Sequence, residues 1–417
     1  MIMQEPNPQR FDKTRRTLFG VLSHNLFGAE FIPEPDVDWE SVYREGNYQA
    51  VQLQAFVHSH ELPLSPKLFT AIKPILRSVM LRDACVQSMH TLIHKVLTEA
   101  EIPYCVLKGA ASARYYPNPI MRAMGDVDFY VHPRDLNRAK QTLLDAGFTI
   151  RTEVHPAHIV LYRDKVQFEM HFVPAGVPEG AVGKTIEGYL DTILEDASLC
   201  HNELATFRDP SPFHHGLIML MHLQHHLLAE GIGLRHLCDW AVFVHSFKQN
   251  EFPALFEEKL REVGLWRFAR LLSLAASLYV GLPEQDWMRE TPNDEALAAD
   301  LMEDIMAGGN FGVKDKQRAV EGAFISNRGK DGVNGNRMVE GIKALNRVVR
   351  SHWPKAGKCP LVLPVGWVYF LIRHKIRSRR LDRDGKPVST ISAYRKSAVR
   401  KRFYAKLGIY QPDRAPR

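Results

Sequence analysis

The chain has few cysteines and no long apolar run. Its five cysteines are an odd number, they are scattered, and no two of them form a CxxC pair. A disulfide scaffold and a structural zinc site made of cysteines are therefore excluded, and a reducing compartment is favoured. No run approaches the ~18 apolar residues of a membrane span, and the polar start MIMQEPNPQRFDKTRR lacks the apolar centre of a secretory signal. We expect a cytoplasmic protein without a transmembrane helix.

The composition is that of an ordinary globular protein, with 45% hydrophobic and 24% charged residues among 417. At ~150 residues per domain, this length predicts two or three domains or one large elaborated domain. The sequence pattern divides the chain into five segments. They are an N-terminal helical region (1–100) that opens with an irregular arm (1–35), an α/β core (101–200), a helical domain (201–307), a Gly-rich linker or loop (308–336), and a C-terminal helical segment with a basic tail (337–417).

Positive charge is concentrated at the end of the chain. From residue 371 to residue 417, fifteen Lys and Arg stand against three Asp, whereas the whole chain carries a net charge of +7. A basic tail on an acidic body predicts contact with a polyanion or a membrane surface through residues 373–417, with a solvated tail as the alternative. The apolar run 361–372, directly before the tail, is favoured as a buried element over an interfacial membrane anchor, which would place the protein at the membrane periphery.

The hydrophobic period changes from helical to strand-like at residue 102. IPYCVL and DVDFYV predict short strands, PRDLNRAKQTLLDAGF predicts an amphipathic helix, and residues 157–162 and 166–172 predict two further strands. With a short helix after IPYCVL, the order is β-α-β-α-β-β, which implies a mixed sheet. We therefore expect an α+β fold in which this sheet is flanked by N- and C-terminal helical regions.

Two aspartates lie on one face of the second predicted strand. Residues i and i+2 of a strand project to the same side, so Asp126 and Asp128 share a face. Adjacent carboxylates repel unless a cation lies between them, and hard oxygen ligands suit Mg²⁺. Glu169, in the VQFEMHF strand, completes a three-carboxylate cluster if that strand lies beside the aspartate strand. Such a cluster can hold two metal ions and clamp both oxygens of an in-line displacement.

A phosphate-binding loop is predicted between the first strand and the helix that follows it. Gly109 lets the backbone approach a phosphate, the free N–H groups of the helix can donate to it, and Lys108 adds positive charge. Arg122 has two interpretations, namely binding a triphosphate or pairing with Asp126 or Asp128. His171 is either a nucleotide or metal contact or a half-buried histidine.

These residues together resemble the nucleotidyltransferase superfamily, which has a DNA polymerase β-like fold. The pattern LKG, then Tyr, then Arg122, then DxD, then ExH is most similar to a poorly characterised bacterial nucleotidyltransferase family. The resemblance covers about residues 38–246, roughly half of the chain, and also includes AGF after the amphipathic helix and the later RHLCDW.

The resemblance implies a reaction and the residues that perform it. A nucleoside monophosphate would move from an NTP to a hydroxyl or phosphate of an acceptor, which stays open between a small molecule, a protein and an RNA. The cofactor would be Mg²⁺ (or Mn²⁺), and the metal-binding and catalytic residues would be Asp126, Asp128 and Glu169. The NTP-binding residues would be Lys108, Gly109, Ser112 and Arg122.

Ala110 departs from the superfamily, whose phosphate loop usually reads Gly-Ser or Gly-Gly at this point. Alanine offers no hydroxyl, so NTP binding would rest on the backbone, on Lys108 and on Ser112. This departure supports an alternative function, a catalytically inactive nucleotide-binding or protein-interaction module of the same fold.

Histidines are frequent after residue 212, but they do not form a metal-hydrolase motif. HExxH is absent and no His-Asp pair is adjacent, so a metal site there is disfavoured. We expect instead that these helices form a wall of the nucleotide cleft. The acceptor-side or packing residues would then be His222, His226, Arg235 and Asp239.

Overall fold

The computed structural model describes residues 10–152, 157–322, 324–325, 337–353, 359–381 and 390–412. Within these residues the protein is an α+β structure, in which a five-stranded mixed sheet and a two-stranded sheet lie among helices. The expected fold class is therefore confirmed. The division into five segments stays a prediction, but the packing below shows which of those segments share a core.

The main sheet is built from five short strands. They are β1 (Tyr104–Val106), β2 (Val127–Val131), β3 (Thr149–Thr152), β4 (His158–Arg163) and β5 (Val166–His171). Their order is β1-β2-β5-β4-β3, with β2 parallel to β5 and the other neighbours antiparallel. The sequence pattern omits β3, an edge strand of four residues whose pairing with β4 is interrupted by a register shift. So short a strand has no readable alternation.

One face of this sheet packs on two helices, α4 (Pro66–Glu99) and α6 (Leu136–Asp145). Alternate residues of β2, such as Val127 and Phe129, share a core with Ile93 of α4 and Leu143 of α6. Helix α4 begins at Pro66, because a proline in the first helical turn lacks only an N–H that would have no partner there. The Ser65 hydroxyl accepts the Leu68 N–H there and satisfies a free donor of the first turn.

The opposite side of the molecule is a helical body. Its helices are α8 (Pro212–Leu228), α9 (Leu234–His245), α10 (Glu251–Glu262), α11 (Trp266–Val280) and α12 (Asp294–Gly308). The N-terminal helices belong to the same core, and they are α1 (Lys13–Phe27), α2 (Trp39–Tyr48) and α3 (Gln52–Phe56). Leu22, Val42 and Phe56, for example, are buried in one cluster with Leu237 and Leu271. The first and third predicted segments thus pack together.

Helix α1 corrects the expectation that residues 1–35 form an irregular arm. The Asp12 carboxylate accepts the Arg15 N–H at 2.9 Å and caps the start of the helix. Gly28, in the left-handed region at φ +70°, ends it. The charged start therefore belongs to a capped helix whose apolar side chains join the main core. Residues 1–9 of the predicted arm lie outside the described residues.

A small hairpin was also not predicted. After α7 (Ala181–Leu190), strands β6 (Ser198–His201) and β7 (Thr206–Asp209) pair antiparallel, and the Tyr104 hydroxyl of β1 accepts the Arg208 N–H of β7. Strand β6 is largely exposed, so it carries no alternation between buried and exposed positions. The hydrophobic pattern therefore gives no strand signal there.

The C-terminal part returns to the helical body. Its helices are α13 (Gln317–Gly322), α14 (Arg337–His352), α15 (Leu363–Leu381) and α16 (Thr390–Lys406). Arg318 of α13 pairs with Asp304 at 3.0 Å, and Tyr404 of α16 is buried in the main core. The first part of the predicted linker is thus packed, whereas residues 323 and 326–336 lie outside the described residues.

Helix α15 contains most of the apolar run that precedes the basic tail. One side packs on α14 through Phe370 and Val349, and the other side exposes Val365 and Val368. Among the described residues, no helix combines the length and apolarity needed to cross a bilayer. Contact of the basic tail with a polyanion or a membrane surface stays a prediction, and residues 382–389 and 413–417 of the tail lie outside the described residues.

Candidate functional site

The parallel pairing of β2 and β5 brings the three predicted carboxylates together. Asp128 and Glu169 are register partners on these strands, and Asp126 immediately precedes β2. One ligand oxygen of each residue lies within 4.8 Å of the other two. They alternate with the core residues of β2 and β5, so they face away from the α4–α6 core. The result is an all-oxygen donor set of the kind that a hard divalent cation binds.

Asp128 is buried and has two cationic neighbours. Its Oδ1 lies 3.2 Å from Lys108 Nζ and 2.9 Å from His171 Nε2, which donates a hydrogen bond to it. Burial opposes ionisation, but Lys108 and His171 outweigh it and hold the pKa of Asp128 well below its usual range. Lys108 and His171 therefore both contact the carboxylate of Asp128 directly.

Asp126 is in the opposite electrostatic situation. Burial and the nearby charge of Asp128 raise the pKa of Asp126, although Lys108 acts against them. Three carboxylates thus face one lysine and one histidine. A divalent cation among them would remove the remaining repulsion, and this is the physical reason why the donor set fits a metal.

Gly109 turns the chain between β1 and the single-turn helix α5 (Ala110–Ala113). Its φ of +67° and ψ of −113° are conformations that other residues rarely adopt. A Cβ at this position would also lie 3.2 Å from Nε2 of the buried His90. The backbone conformation therefore favours glycine, and a Cβ would in addition force the His90 ring to shift by a few tenths of an ångström. Ser112, in the same helix, is buried with its hydroxyl 3.3 Å from His215 Nε2.

All seven predicted site residues line one cavity of about 320 Å³. That volume is within the range of small-molecule sites. The wall on the sheet side is formed by Lys108, Gly109, Ser112, Arg122, Asp126, Asp128 and Glu169. The opposite wall is formed by α8 and α9, chiefly through His215, His222, His226, Arg235, His236 and Asp239. The helices after residue 212 thus form a wall of the cleft, as expected.

Arg122 pairs with neither Asp126 nor Asp128. Its Nε and Nη2 donate to the two carboxylate oxygens of Asp239, each at 2.8 Å, and the Tyr116 hydroxyl donates to Oδ1 of the same carboxylate at 2.7 Å. Arg122 thus forms an ion pair with an aspartate, but the partner is Asp239 and not Asp126 or Asp128. This fork ties the segment between α5 and β2 to helix α9.

Arg235 does not pair with Asp239, because Arg122 occupies both oxygens of that carboxylate. Its guanidinium makes no hydrogen bond to another described residue, and its Nε is buried without a partner. The side chain lines the same cavity as the carboxylates, on the wall that α8 and α9 form. A buried donor without a partner costs stability, so this guanidinium is positioned to gain from an anionic ligand. The sequence pattern placed Arg235 only among acceptor-side or packing residues.

Three histidines lie beside Arg235. The ring centroids of His222 and His226 are 4.3 Å apart, and His236 lies about 6 Å from each. Burial holds the pKa of His222 and of His236 well below the usual value, so both are neutral at pH 7. Among the described residues, these three histidines do not form a cluster whose donor atoms are close enough together to hold a metal ion.

Comparison with known proteins identifies the family of the chain. The model of a family described as "Uncharacterised nucleotidyltransferase" matches residues 35–281, more than half of the chain. The matched region contains the main sheet, helices α8 to α11 and the residues that line the cavity, apart from Phe311. No curated protein matches the chain.

Proposed function

Because the chain belongs to this uncharacterised nucleotidyltransferase family, we propose that it moves a nucleoside monophosphate from an NTP to an acceptor hydroxyl or phosphate in an Mg²⁺-dependent reaction. The observation that carries the proposal is one cavity with two unlike walls. Three convergent carboxylates form one wall, and the other carries Arg235, whose Nε is buried without a hydrogen-bond partner among the described residues.

The carboxylate wall fits a hard divalent ion. Asp126, Asp128 and Glu169 offer oxygen ligands close together. Lys108 does not cancel the effect of burial and of the Asp128 charge on Asp126, whose pKa stays raised. Bound there, Mg²⁺ or Mn²⁺ would neutralise phosphate charge and polarise the attacking oxygen. Lys108 supplies positive charge on the same side through its contact with Asp128.

The helix wall fits phosphate. Arg235 presents five donors in a planar fork, the geometry that recognises phosphate oxygens. The neutral His222 and His236 beside it can donate or accept hydrogen bonds without adding charge. Arg122 is committed to Asp239, so the free arginine rather than the paired one is the triphosphate ligand in this proposal.

The reaction itself is an in-line displacement. An acceptor oxygen bonds to the α-phosphorus of the NTP while the bond from that phosphorus to the α–β bridging oxygen breaks, and pyrophosphate leaves. The proton of an acceptor hydroxyl passes to a carboxylate of the cluster. The residues act by holding the reactants in line and by neutralising charge in a partly closed cavity.

Ala110 has less weight against catalysis than its place in the sequence suggests. Its side chain is buried in the core of the main sheet and does not line the cavity. A hydroxyl there would enter an apolar core. The phosphate-facing groups of the loop are therefore Lys108, Gly109 and Ser112, which all line the cavity.

The test is transfer from α-labelled ATP, CTP, GTP and UTP, each with Mg²⁺ or Mn²⁺ and with a cell lysate as the source of acceptors. Wild type should label a product with at least one nucleotide. Asp126→Asn and Asp128→Asn should each reduce labelling by at least ~100-fold, the loss expected when a preorganised charge is removed from an active site. Circular dichroism should show that both variants are folded.

The matched control is Asp164→Asn, which neutralises an exposed aspartate in the turn between β4 and β5. It should label as wild type does. Retained labelling in folded Asp126→Asn and Asp128→Asn would refute the proposal. Metal-dependent binding of the labelled nucleotides without any product would support the inactive module instead.

A further inference from the structure

A second set of possible metal ligands lies on the same sheet face. His158, Glu169 and His171 each offer one donor atom, and these atoms lie within 4.8 Å of one another. His158 and His171 face each other across the antiparallel pair β4–β5, and Glu169 lies two residues before His171. The three side chains therefore project from one face. Each keeps between 12% and 17% of its surface exposed, so an ion can reach them.

The distances suit coordination better than hydrogen bonding. Glu169 Oε2 lies 3.6 Å from His158 Nδ1 and 3.5 Å from His171 Nε2. Both separations exceed the ~3.2 Å upper end of ordinary N–H···O bonds. At a ligand distance of ~2.1 Å, two ligands of a tetrahedral zinc ion lie about 3.4 Å apart. The carboxylate oxygen thus stands at ligand spacing from two imidazole nitrogens.

The other oxygen of Glu169 is held by neighbouring side chains. Gln167 Nε2 donates to Glu169 Oε1 at 3.1 Å, and the Tyr162 hydroxyl donates to Gln167 Oε1 at 2.8 Å. Such outer contacts orient a ligating carboxylate and fix which oxygen faces the ion. Here they leave Oε2 directed to the histidines.

From this geometry we propose that His158, Glu169 and His171 bind a first-row transition-metal dication such as Zn²⁺ or Co²⁺. Two imidazoles and one carboxylate favour such ions, whereas Mg²⁺ favours the oxygen-only set of Asp126, Asp128 and Glu169. Glu169 belongs to both sets, so the sheet face offers two adjacent cation positions of different donor chemistry. Coordination by His171 Nε2 replaces its hydrogen bond to Asp128.

The experiment adds Co²⁺ to the full chain as the only transition metal, without nucleotide. Millimolar Mg²⁺ is present so that the oxygen-only set is filled by Mg²⁺. Cobalt reports ligation through its visible absorption and through strongly shifted NMR signals of coordinated imidazole rings. Wild type should show both. His158→Ala should lose the ring signal of one histidine and weaken Co²⁺ binding by at least the ~10-fold that even an outer-shell partner contributes.

Two further variants complete the test. His201→Ala removes an exposed histidine of the β6–β7 hairpin and should leave the cobalt spectrum unchanged. Asp126→Asn alters only the oxygen-only set and should also keep the ring signals. The inference would be overturned if wild type showed no shifted imidazole signals. It would also be overturned if His158→Ala showed the same shifted signals as wild type.

The two proposals fail separately. Cobalt ligation is measured without nucleotide, and labelling is measured with Mg²⁺, so a protein that labels product but lacks imidazole ligation refutes the transition-metal site alone. A protein that binds cobalt through His158 but transfers nothing refutes the proposed reaction alone.

Discussion

The Arg122–Asp239 pair allows a quantitative test of how the cavity is assembled. Arg122 is 4% exposed and Asp239 is 6% exposed, and the two are joined by two hydrogen bonds of 2.8 Å. Removing one partner of a buried pair leaves the other charge uncompensated, at a cost of ~3–5 kcal/mol. We expect Asp239→Ala to lower the free energy of unfolding by that amount. The loss should lie toward the upper end, because the Tyr116 hydroxyl also loses its acceptor.

Removing both charges should cost much less. When a buried pair is replaced by apolar side chains of similar volume, the change in stability is often neutral, because the desolvation penalty disappears with the charges. The double variant Arg122→Met/Asp239→Leu should therefore recover most of the stability that Asp239→Ala loses. In the double-mutant cycle made with the single variants Arg122→Met and Asp239→Leu, the coupling free energy should exceed ~2 kcal/mol, since the two side chains are in direct contact.

Urea unfolding, followed by far-UV circular dichroism and by tryptophan fluorescence, measures these differences. Coincident transitions by the two probes justify a two-state treatment. An Asp239→Ala variant within ~1 kcal/mol of wild type would refute the reasoning, because Arg122 would then be tolerated without its partner. A double variant as unstable as the sum of its single variants would refute it equally.

Two further predictions concern acid and the basic tail. Burial lowers the pKa of several described histidines, most strongly those of His90, His215, His222 and His236. Below about pH 6.5 the unfolded chain protonates them and the folded chain does not, so each removes ~1.4 kcal/mol of stability per pH unit as the pH falls. Burial raises the pKa of Asp83, Asp126 and Asp209, which act in the opposite sense but are fewer, so the free energy of unfolding measured with urea should fall from pH 6.5 to pH 5. A flat profile would contradict this. The chain should sediment with phosphatidylserine vesicles and not with neutral ones, and replacing the Lys and Arg of residues 373–380 with Gln should abolish this. Sedimentation that survives the replacement would contradict it, and deletion of the tail is unsuitable because Tyr404 is part of the main core.

Local chemistry in the sequence accounts for part of the site. The period of two in a strand places Asp126 and Asp128 on one face without any knowledge of the fold. The turn Asp164–Lys165 joins β4 to β5 with two residues, both at positive φ, so Arg163 must face Val166. Counting five residues back and five forward along the strands makes His158 face His171. The sequence therefore contained the second donor set, although its pattern drew attention only to Glu169 and His171 and not to His158.

The pairing of β2 with β5 has no such local cause. Helix α6 and strands β3 and β4 lie between them in the chain, and no turn fixes their register. Asp128 comes to lie beside Glu169 because the apolar residues of both strands enter one core with α4 and α6. Spacing in the sequence could not show this, and the family resemblance supplied it.

The arginines show how a distant partner overrides a local one. Arg235 and Asp239 are four residues apart on α9, the spacing at which opposite charges on a helix usually interact. Arg122 takes this aspartate instead, from a loop 117 residues away. The loop reaches α9 only because the sheet packs against the helical body. The free arginine of the cavity is thus a product of tertiary packing.

The two walls of the cavity carry opposite costs. Three carboxylates crowd one wall beyond what Lys108 and His171 neutralise, and Arg235 on the other wall has a buried donor without a partner. A cation bound without phosphate would relieve only the repulsion among the carboxylates. A phosphate bound without a cation would pair with Arg235 but would add to the repulsion at the carboxylates. A divalent ion joined to a chain of phosphates relieves both at once. This charge distribution therefore supports the proposal that the ligand is a metal–polyphosphate pair rather than either component alone, and it is the physical reason to seek the donor among metal-bound nucleotides.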